Sequence, residues 1–302
     1  MAELELIGVP FDGYGRPGNL ARASSAMRAA GFIAAFEMHR VTDSGDLDLP
    51  EPDADRAPGS GLTNEGALIA MTDALNERVS RAIRGGHFPV VYGADCSTLL
   101  GSVTALRDTV GNSGLLFIDG HEDTMPLDVS EDGEAANAEI GLLLGLTGRF
   151  APESLKTRLP AIEPDALAML GPRDKDWRRQ FNVGSLRDRG IWQQSVEEIA
   201  ADPSEAARQA VAHLRATAEN WWLHVDLDVL NPDEFKSQGV PGVEDEPGGL
   251  TWQQLTDLAV TAAGMDGCRG WSVAIYDPDQ DLNRKDAARI VRFAREIGSA
   301  LA

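Results

Sequence analysis

The stretch Leu115-Leu116-Phe117-Ile118-Asp119-Gly120-His121-Glu122-Asp123 guides the interpretation of the whole chain. Its first four residues form a short apolar run, which is typical of a strand buried in a parallel sheet. If the chain stays extended beyond Ile118, the period of two places Asp119, His121 and Asp123 on one side. Three side chains that can bind a metal would then converge at the carboxyl end of a strand, where open α/β sheets bind their ligands.

A second stretch repeats this pattern. Residues 221–228, Trp-Trp-Leu-His-Val-Asp-Leu-Asp, are an apolar run that ends in Asp226 and Asp228. An isolated Asp-x-Asp is typical of a solvated turn or a helix cap. Carboxylates that converge without partners repel one another, however, and a bound cation is the natural compensation. Two acidic clusters after buried strands therefore favour a two-metal site, whereas His224, inside the apolar run, is interpreted as a core residue with satisfied hydrogen bonds.

Strand and helix patterns alternate along the chain. The predicted strands are residues 3–9, 88–92, 115–118, 166–170, the run from residue 221, and 270–275. The main predicted helices are residues 21–36, 64–83, 140–146, 204–220, 251–263 and 285–297. Residues 44–61 and 231–249 are predicted as loops, because they are rich in proline and acidic residues. The alternation favours a three-layer α/β/α fold with a mostly parallel, doubly wound sheet, in a single domain that spans residues 1–302.

The composition argues against several classes of partner. A formal net charge of −21 and a pI near 4.5 disfavour binding to nucleic acid or to an anionic membrane. No apolar run approaches the roughly 18–20 residues that span a bilayer, and residues 1–9 do not resemble a signal peptide. The two cysteines, Cys96 and Cys268, form no disulfide framework, which is typical of a reducing compartment. We expect a cytoplasmic protein that acts on a small molecule.

Seven short motifs, in the same order, resemble those of the ureohydrolases, the family of arginase, agmatinase and formimidoylglutamase. They are Ile7-Gly8-Val9-Pro10-Phe11, Gly93-Ala94-Asp95-Cys96-Ser97, Asp119-Gly120-His121-Glu122-Asp123, Gly171-Pro172-Arg173-Asp174, Asp226-Leu227-Asp228 with Asn231-Pro232, Gly248-Gly249-Leu250-Thr251 and Tyr276-Asp277-Pro278. The resemblance covers nearly the whole chain and implies an arginase-like fold with a dinuclear manganese site. A hydroxide held between the two ions would attack a carbon bound to nitrogen. The resemblance also implies a homo-oligomer, either a trimer or a hexamer.

The resemblance also implies which residues bind the two Mn²⁺ ions. The implied ligands are Asp119 and Asp226 for both ions, Cys96 and Asp123 for one ion, and His121 and Asp228 for the other. Cys96 stands where the family has a histidine, and a core thiol that binds no metal is the alternative. As a ligand, its thiolate would favour a softer ion such as Zn²⁺, and a site with a single ion is a further possibility.

Two positions that the family uses for substrate and proton transfer differ here. Ile275 stands in place of the glutamate that binds a guanidinium group, and isoleucine cannot pair with a cation. Ala136 and Asn137 lie in the loop where arginase has a proton-shuttle histidine. Glu134 and Glu139 are then the nearby acid/base candidates.

From these departures we predict the catalytic and substrate-binding residues. Asp123 and Glu139 are the predicted catalytic residues. Asp176 matches an acidic residue that binds the amino group of the substrate, with a chance surface acid as the alternative. Asp277 or Asp279 is the predicted substitute for the missing glutamate, and Asp277 is taken as the substrate-binding residue. Met125 stands in place of an asparagine that contacts the substrate carboxylate.

Together these features predict a metal-dependent hydrolase of linear C–N bonds in amidino, guanidino or formimino compounds, with a substrate other than L-arginine. The alternative is a catalytically impaired protein with the ureohydrolase fold that acts as a binding or oligomer-forming partner. Retention of the four metal aspartates and His121 favours the enzyme. Loss of the substrate glutamate and of the shuttle histidine favours the alternative.

Overall fold

The computed structural model describes residues 2–241 and 247–301. Within these ranges, eight strands form one sheet in which each neighbouring pair is parallel. The strands are β1 (Glu3–Gly8), β2 (Arg40–Asp46), β3 (Phe88–Tyr92), β4 (Ser113–Ile118), β5 (Leu167–Leu170), β6 (Trp192–Gln194), β7 (Asn220–Asp226) and β8 (Cys268–Ala274). Their order across the sheet is β2-β1-β3-β8-β7-β4-β5-β6.

Helices connect the strands and cover both faces of the sheet. They are α1 (Ala23–Ala29), α2 (Glu65–Arg84), α3 (Leu99–Val110), α4 (Glu139–Leu143), α5 (Glu153–Lys156), α6 (Lys175–Gln180), α7 (Val196–Ala200), α8 (Pro203–Arg215), α9 (Trp252–Ala263) and α10 (Lys285–Ala300). None of the described helices combines the length and the apolar character that crossing a membrane would need.

The sheet separates two apolar cores. In β4, Leu116 and Ile118 belong to the core that includes residues of α8, α9 and α10. Leu115 and Phe117 belong to the other core, which includes residues of α2 and α3. This division follows from the alternation of side chains along a strand that is buried on both faces. The predicted three-layer α/β/α fold with a parallel sheet is therefore confirmed.

The four central strands end beside one another. β3, β8, β7 and β4 are consecutive in the sheet, and the carboxyl ends of parallel strands lie at the same edge. Cys96 follows β3, Ile275 follows β8, Asp226 ends β7 and Asp119 follows β4. Residues that are up to 179 positions apart in the sequence therefore meet at one edge of the sheet.

The predicted helix over residues 21–36 is wrong as one continuous element. Helix α1 ends at Ala29, and Gly31 has a φ of 98°, which only glycine adopts without strain. A separate short helix, Ile33–Phe36, follows. The apolar spacing does mark buried residues, but Met27 reaches the core from α1 and Phe36 reaches it from the second, separate helix.

The two edge strands were missed. The predicted loop over residues 44–61 is wrong at its start, because β2 extends to Asp46. Both β2 and the three-residue β6 are only partly buried, and neither carries an apolar run from which a strand could be predicted. Of the predicted loop over residues 231–249, residues 242–246 lie outside the described part of the chain.

Candidate metal and substrate site

Two aspartates at the ends of β4 and β7 have the same local geometry. Asp119 Oδ1 accepts a hydrogen bond of 2.7 Å from the amide of His121. Asp226 Oδ1 accepts one, also of 2.7 Å, from the amide of Asp228. Such bonds to the amide two residues ahead are typical of aspartate after a strand. They fix one oxygen of each carboxyl group and direct both Oδ2 atoms toward Cys96.

Cys96 lies among these carboxyl groups. Its side chain is 1% exposed, and its thiol donates to Asp226 Oδ2 at 2.6 Å, with Asp119 Oδ2 at 3.7 Å. Asp95 positions it, because the Asp95 carboxylate caps the turn by accepting from the amide of Ser97. Burial, and then the charges of Asp226 and Asp119, raise the pKa of the Cys96 thiol well above its usual value. A thiol with a raised pKa keeps its proton at neutral pH, and metal binding would displace that proton.

His121 and Asp228 form an ion pair at the exposed side of the cluster. His121 Nδ1 lies 2.9 Å from Asp228 Oδ2 and 3.6 Å from Asp119 Oδ1. The other oxygen of Asp228 accepts from the amide of Gly120 at 3.0 Å. Burial opposes the charge of His121, but the carboxylate of Asp228 raises the pKa of the imidazole well above its usual value. Burial alone would raise the pKa of Asp228, but the neighbouring His121 outweighs this effect and lowers the pKa to about 2.

Asp123 and Glu139 form the buried side of the cluster. Asp123 has a φ of 45° and its carbonyl accepts from the amide of Gly141 at 3.1 Å, which ties it to the start of α4. Glu139 is the first residue of α4 and is 0% exposed. Burial, and then the proximity of Glu139, raise the pKa of Asp123 well above its usual value. Burial, and then the charge of Asp119, raise the pKa of Glu139 well above its usual value as well.

The donor atoms present fit a dinuclear metal site. Potential ligand atoms of Asp119, Asp226 and Asp228 lie within 4.8 Å of one another, as do those of Asp119, His121 and Asp123. Burial and the neighbouring charge of Asp228 raise the pKa of Asp119 to about 7. Close carboxyl groups raise one another's pKa in this way, and a divalent cation between them would compensate for their charge. Carboxylate, imidazole and thiolate donors suit divalent transition metals, so the structure brings all six predicted ligands into one candidate metal cluster.

An apolar surface adjoins the thiol. Ala136, Ala274 and Ile275 pack together with Cys96, and we call these four residues the apolar wall. Ile275 has a φ of 59° and its amide donates to the carbonyl of Ala94 at 3.0 Å. A positive φ is unusual for a β-branched residue and costs on the order of 1–3 kcal/mol. The wall therefore includes Ile275, which the resemblance matches to the guanidinium-binding glutamate, and Ala136, which together with Asn137 lies in the loop matched to that of the shuttle histidine.

The two predicted substrate-binding acids, Asp277 and Asp176, form their hydrogen bonds and ion pairs with residues outside the candidate metal cluster. The side chain of Asp277 is buried and accepts hydrogen bonds from the side chains of Asn19, at 2.8 Å, and Gln280, at 3.1 Å. Asp176, on α6, pairs with Arg179 at 3.0 Å, and its side chain is 88% exposed. Neither acid belongs to the groups of potential metal ligands. Met125, at the position of the family asparagine, is 3% exposed.

The sequence predicts His224 as a core residue, and the structure also places it beside the candidate metal cluster. It is fully buried, its Nδ1 lies 2.7 Å from Ser272 Oγ, and its ring stacks on Phe117. Its hydrogen bonds are satisfied, as predicted, but the second partner of the ring is Cys96 Sγ, at 3.2 Å. One sequence pattern does indicate that His224 lies near the cluster. The period of two along β7 places His224 on the same face as Asp226.

Comparison with known proteins agrees with this geometry. The family model described as "Arginase family" matches residues 2–298. The arginase of Staphylococcus aureus (strain MRSA252) is 29% identical over 258 residues, which are 83% of this chain and 82% of that protein. The solved structure of arginase from Bacillus caldovelox superposes with a TM-score of 0.85, covers 98% of each chain and is 23% identical in sequence. The proclavaminate amidino hydrolase of Streptomyces clavuligerus superposes with a TM-score of 0.70 at 19% identity, and covers 99% of this chain and 91% of that one.

Since the family model extends over almost all of the chain, the chain belongs to the arginase family and is an amidinohydrolase-like enzyme.

Proposed function

We propose that this chain hydrolyses a linear C–N bond in an amidino, guanidino or formimino compound other than L-arginine, with two divalent cations as cofactor. The observation that carries the proposal is the apolar wall beside the candidate metal cluster. Ile275 offers no charge to a guanidinium group, and the described acid nearest to it in sequence, Asp277, is engaged by Asn19 and Gln280. A substrate with an apolar or neutral group beside the scissile bond fits this wall better than a free guanidinium.

Metal binding in this proposal uses the six predicted ligands. Asp119 and Asp226 would hold both cations through their Oδ2 atoms, because their Oδ1 atoms are the ones that accept backbone hydrogen bonds. Cys96 and Asp123 would contribute to holding one cation, and His121 and Asp228 to holding the other. When bound, a pair of divalent cations supplies a water molecule of lowered pKa as the nucleophile. Mn²⁺ is the proposed metal, with Zn²⁺ as the alternative that Cys96 favours.

Proton transfer in this proposal belongs to the acids of the cluster. Asp123 is the proposed catalytic carboxylate, and its position beside Asp119 and His121 supports this role. Glu139 was predicted as its acid/base partner, and Ala136 provides no imidazole that could take its place. Glu139 has no exposed surface, and its neighbours in the cluster, through which a proton would have to pass, are Asp123 and Cys96. Asp176, which is open to solvent, is the proposed contact for a polar end of the substrate.

The proposal is tested with metal-free protein that is loaded separately with Mn²⁺, Co²⁺ or Zn²⁺. Release of ammonia, urea or amide is measured for L-arginine and for a panel of N-substituted guanidines, amidines and formimidoyl amino acids. We expect one class of compound to be hydrolysed at least tenfold faster than L-arginine. Asp226→Asn is the control variant, because removal of a bridging carboxylate should abolish the reaction.

The alternative function, a binding or oligomer-forming protein, makes the opposite prediction. If the purified protein binds no metal, or if the metal-loaded protein hydrolyses no compound of the panel, the proposed function is wrong. Metal content is the quicker of the two measurements, because a protein without bound metal cannot act by this route.

A further inference from the structure

Glu139 has a buried carboxyl group whose two oxygens both lack a hydrogen-bond donor. The residue is 0% exposed, and neither Oε1 nor Oε2 has a hydrogen-bond partner. Burying an ionised carboxylate without a partner costs several kcal/mol or more. Buried polar groups are nearly always paired, and each exception requires an explanation such as a missing ion.

The neighbours of Glu139 do not supply the missing donor. One oxygen of its carboxyl group lies within 4.8 Å of both Cys96 Sγ and an oxygen of Asp123, and these three atoms form one group of potential ligands. Asp123 is itself an acid, and the thiol of Cys96 already donates to Asp226. Only a shared proton or a cation can therefore bring Glu139 and Asp123 together without repulsion.

Glu134, which precedes α4 in the chain, is a buried glutamate that has a hydrogen-bond partner. Glu134 is 6% exposed, and its Oε2 is within 3.5 Å of the side-chain amide of Asn137. It lies beside Gly13 and Asp95 and belongs to none of the groups of potential metal ligands. Burial as such therefore does not explain why Glu139 lacks partners. What separates the two glutamates is that Glu139 faces the candidate metal cluster.

We propose that Glu139 is a direct ligand of the cation that Asp123 binds, so that α4 contributes its first residue to the metal site. The site then takes one oxygen ligand from a helix in addition to the ligands that follow the strands. This inference rests on the metal site of the proposed function, though not on hydrolysis. It assigns Glu139 to metal binding in place of the acid/base role that the sequence predicted.

The test compares metal binding by wild type, Glu139→Gln and Glu134→Gln. Each protein is loaded with Mn²⁺, dialysed and analysed for metal per chain, and Mn²⁺ affinity is measured by calorimetry. Loss of even an outer partner of a metal ligand costs 10–100-fold in affinity, so we expect the loss of a direct ligand in Glu139→Gln to weaken one Mn²⁺ site by at least tenfold. Glu134→Gln, the matched control, should bind both ions like wild type.

A second readout is independent of affinity. In a crystal structure of the Mn²⁺-loaded wild type, anomalous scattering locates the ions, and an oxygen of Glu139 should lie within about 2.6 Å of one of them, as carboxylate ligands do. This measurement decides the question even if Glu139→Gln does not fold.

The outcomes are distinct. Wild type that binds no metal would contradict the proposed function and this inference together. Two ions in wild type with equal affinity in Glu139→Gln, or an equal loss in both variants, would overturn this inference alone and leave Glu139 and Asp123 as a carboxyl pair that shares a proton.

Discussion

His224 Nε2 lies 3.2 Å from Cys96 Sγ, and the direction of this hydrogen bond follows from the groups behind it. Trp222 Nε1, which can only donate, donates to Ser272 Oγ at 2.8 Å. The Ser272 hydroxyl has one proton to donate, and because its other hydrogen-bond partner among the described side chains is His224 Nδ1, 2.7 Å away, we assign that proton to this bond. Burial lowers the pKa of His224 to about 3, so the ring is neutral and carries its proton on Nε2. The imidazole therefore donates to the sulfur of Cys96.

We first predict that His224 supports metal binding through Cys96. His224→Phe retains the stacking on Phe117 but removes the N–H that faces the sulfur. Because a hydrogen bond to a ligand orients it and stabilises its charge, we expect metal affinity to fall by about 10–100-fold. The measurement is Co²⁺ titration followed by the thiolate-to-metal absorption band. His213→Phe is the control, since His213 stacks on Trp192 away from the site. Equal affinities in wild type and His224→Phe would contradict the prediction.

A second prediction concerns the choice of metal. Cys96→Ser preserves the size of the side chain and the hydrogen bond to Asp226, but replaces a soft sulfur by oxygen. We expect the ratio of Zn²⁺ to Mn²⁺ affinity to fall by at least tenfold, because thiolate favours the softer ion. Competition between the two ions, followed by elemental analysis, measures this ratio. The partly buried Cys268 lies outside the cluster, and Cys268→Ser is therefore the matched control. An unchanged ratio in Cys96→Ser would show that Cys96 is a core thiol.

The strand-end residues of this site could be predicted from the sequence, and their neighbours could not. Asp119 and Asp226 follow apolar runs, which locate them at the carboxyl ends of buried strands. The position of β8 between β3 and β7, which brings Ile275 against Cys96, is a property of the sheet order and leaves no local signal. The contact between His224 and Cys96 likewise depends on the pairing of strands.

Other parts of the site depend on side-chain partners that no pattern reveals. Asp277 occupies a motif position, but Asn19, 258 residues earlier in the chain, holds its carboxylate. Glu139 was predicted as an acid/base because it is close in sequence to the lost histidine. Its burial and its lack of a hydrogen-bond partner became visible only in the folded chain.

A third prediction concerns the stability of the metal-free protein. Burial raises the pKa of Asp95 to about 6, and burial together with Asp228 raises the pKa of Asp119 to about 7. Both values exceed the value of about 3.9 in an unfolded chain, so the native state binds more protons and stability falls as pH rises. The contribution is fully present below about pH 4 and is lost as pH rises through 6 and 7. For Asp95 alone, the raised pKa contributes about 3 kcal/mol to the free energy of unfolding at low pH, because one pKa unit corresponds to about 1.4 kcal/mol.

Urea unfolding of metal-free protein between pH 4.5 and 8 measures this loss, and the Mn²⁺-loaded protein is the control. A bound cation keeps Asp119 ionised, and we therefore expect a smaller decrease in the free energy of unfolding with pH. Metal-free protein whose stability is constant or rises over this range would contradict the prediction.

The last prediction concerns the apolar wall. We expect wild type to release almost no urea from L-arginine, because Ile275 gives the guanidinium no charged partner. Ile275→Glu introduces a carboxylate, and a hydrogen bond to a charged group is worth about 1.5–3 kcal/mol. Since about 1.4 kcal/mol corresponds to a factor of ten, kcat/KM for L-arginine should rise at least tenfold.

Ile275→Gln is the matched control for this change. Glutamine has the same length as glutamate and the same relief from β-branching at the φ of 59°, but it carries no charge. If kcat/KM for L-arginine rises equally in Ile275→Glu and Ile275→Gln, the cause is a change in the volume of the side chain or relief of backbone strain, and not a contact with the guanidinium group. Fast urea release by wild type would contradict the prediction directly, because it would require another carboxylate, such as that of Asp277, to leave Asn19 and Gln280 and reach the guanidinium.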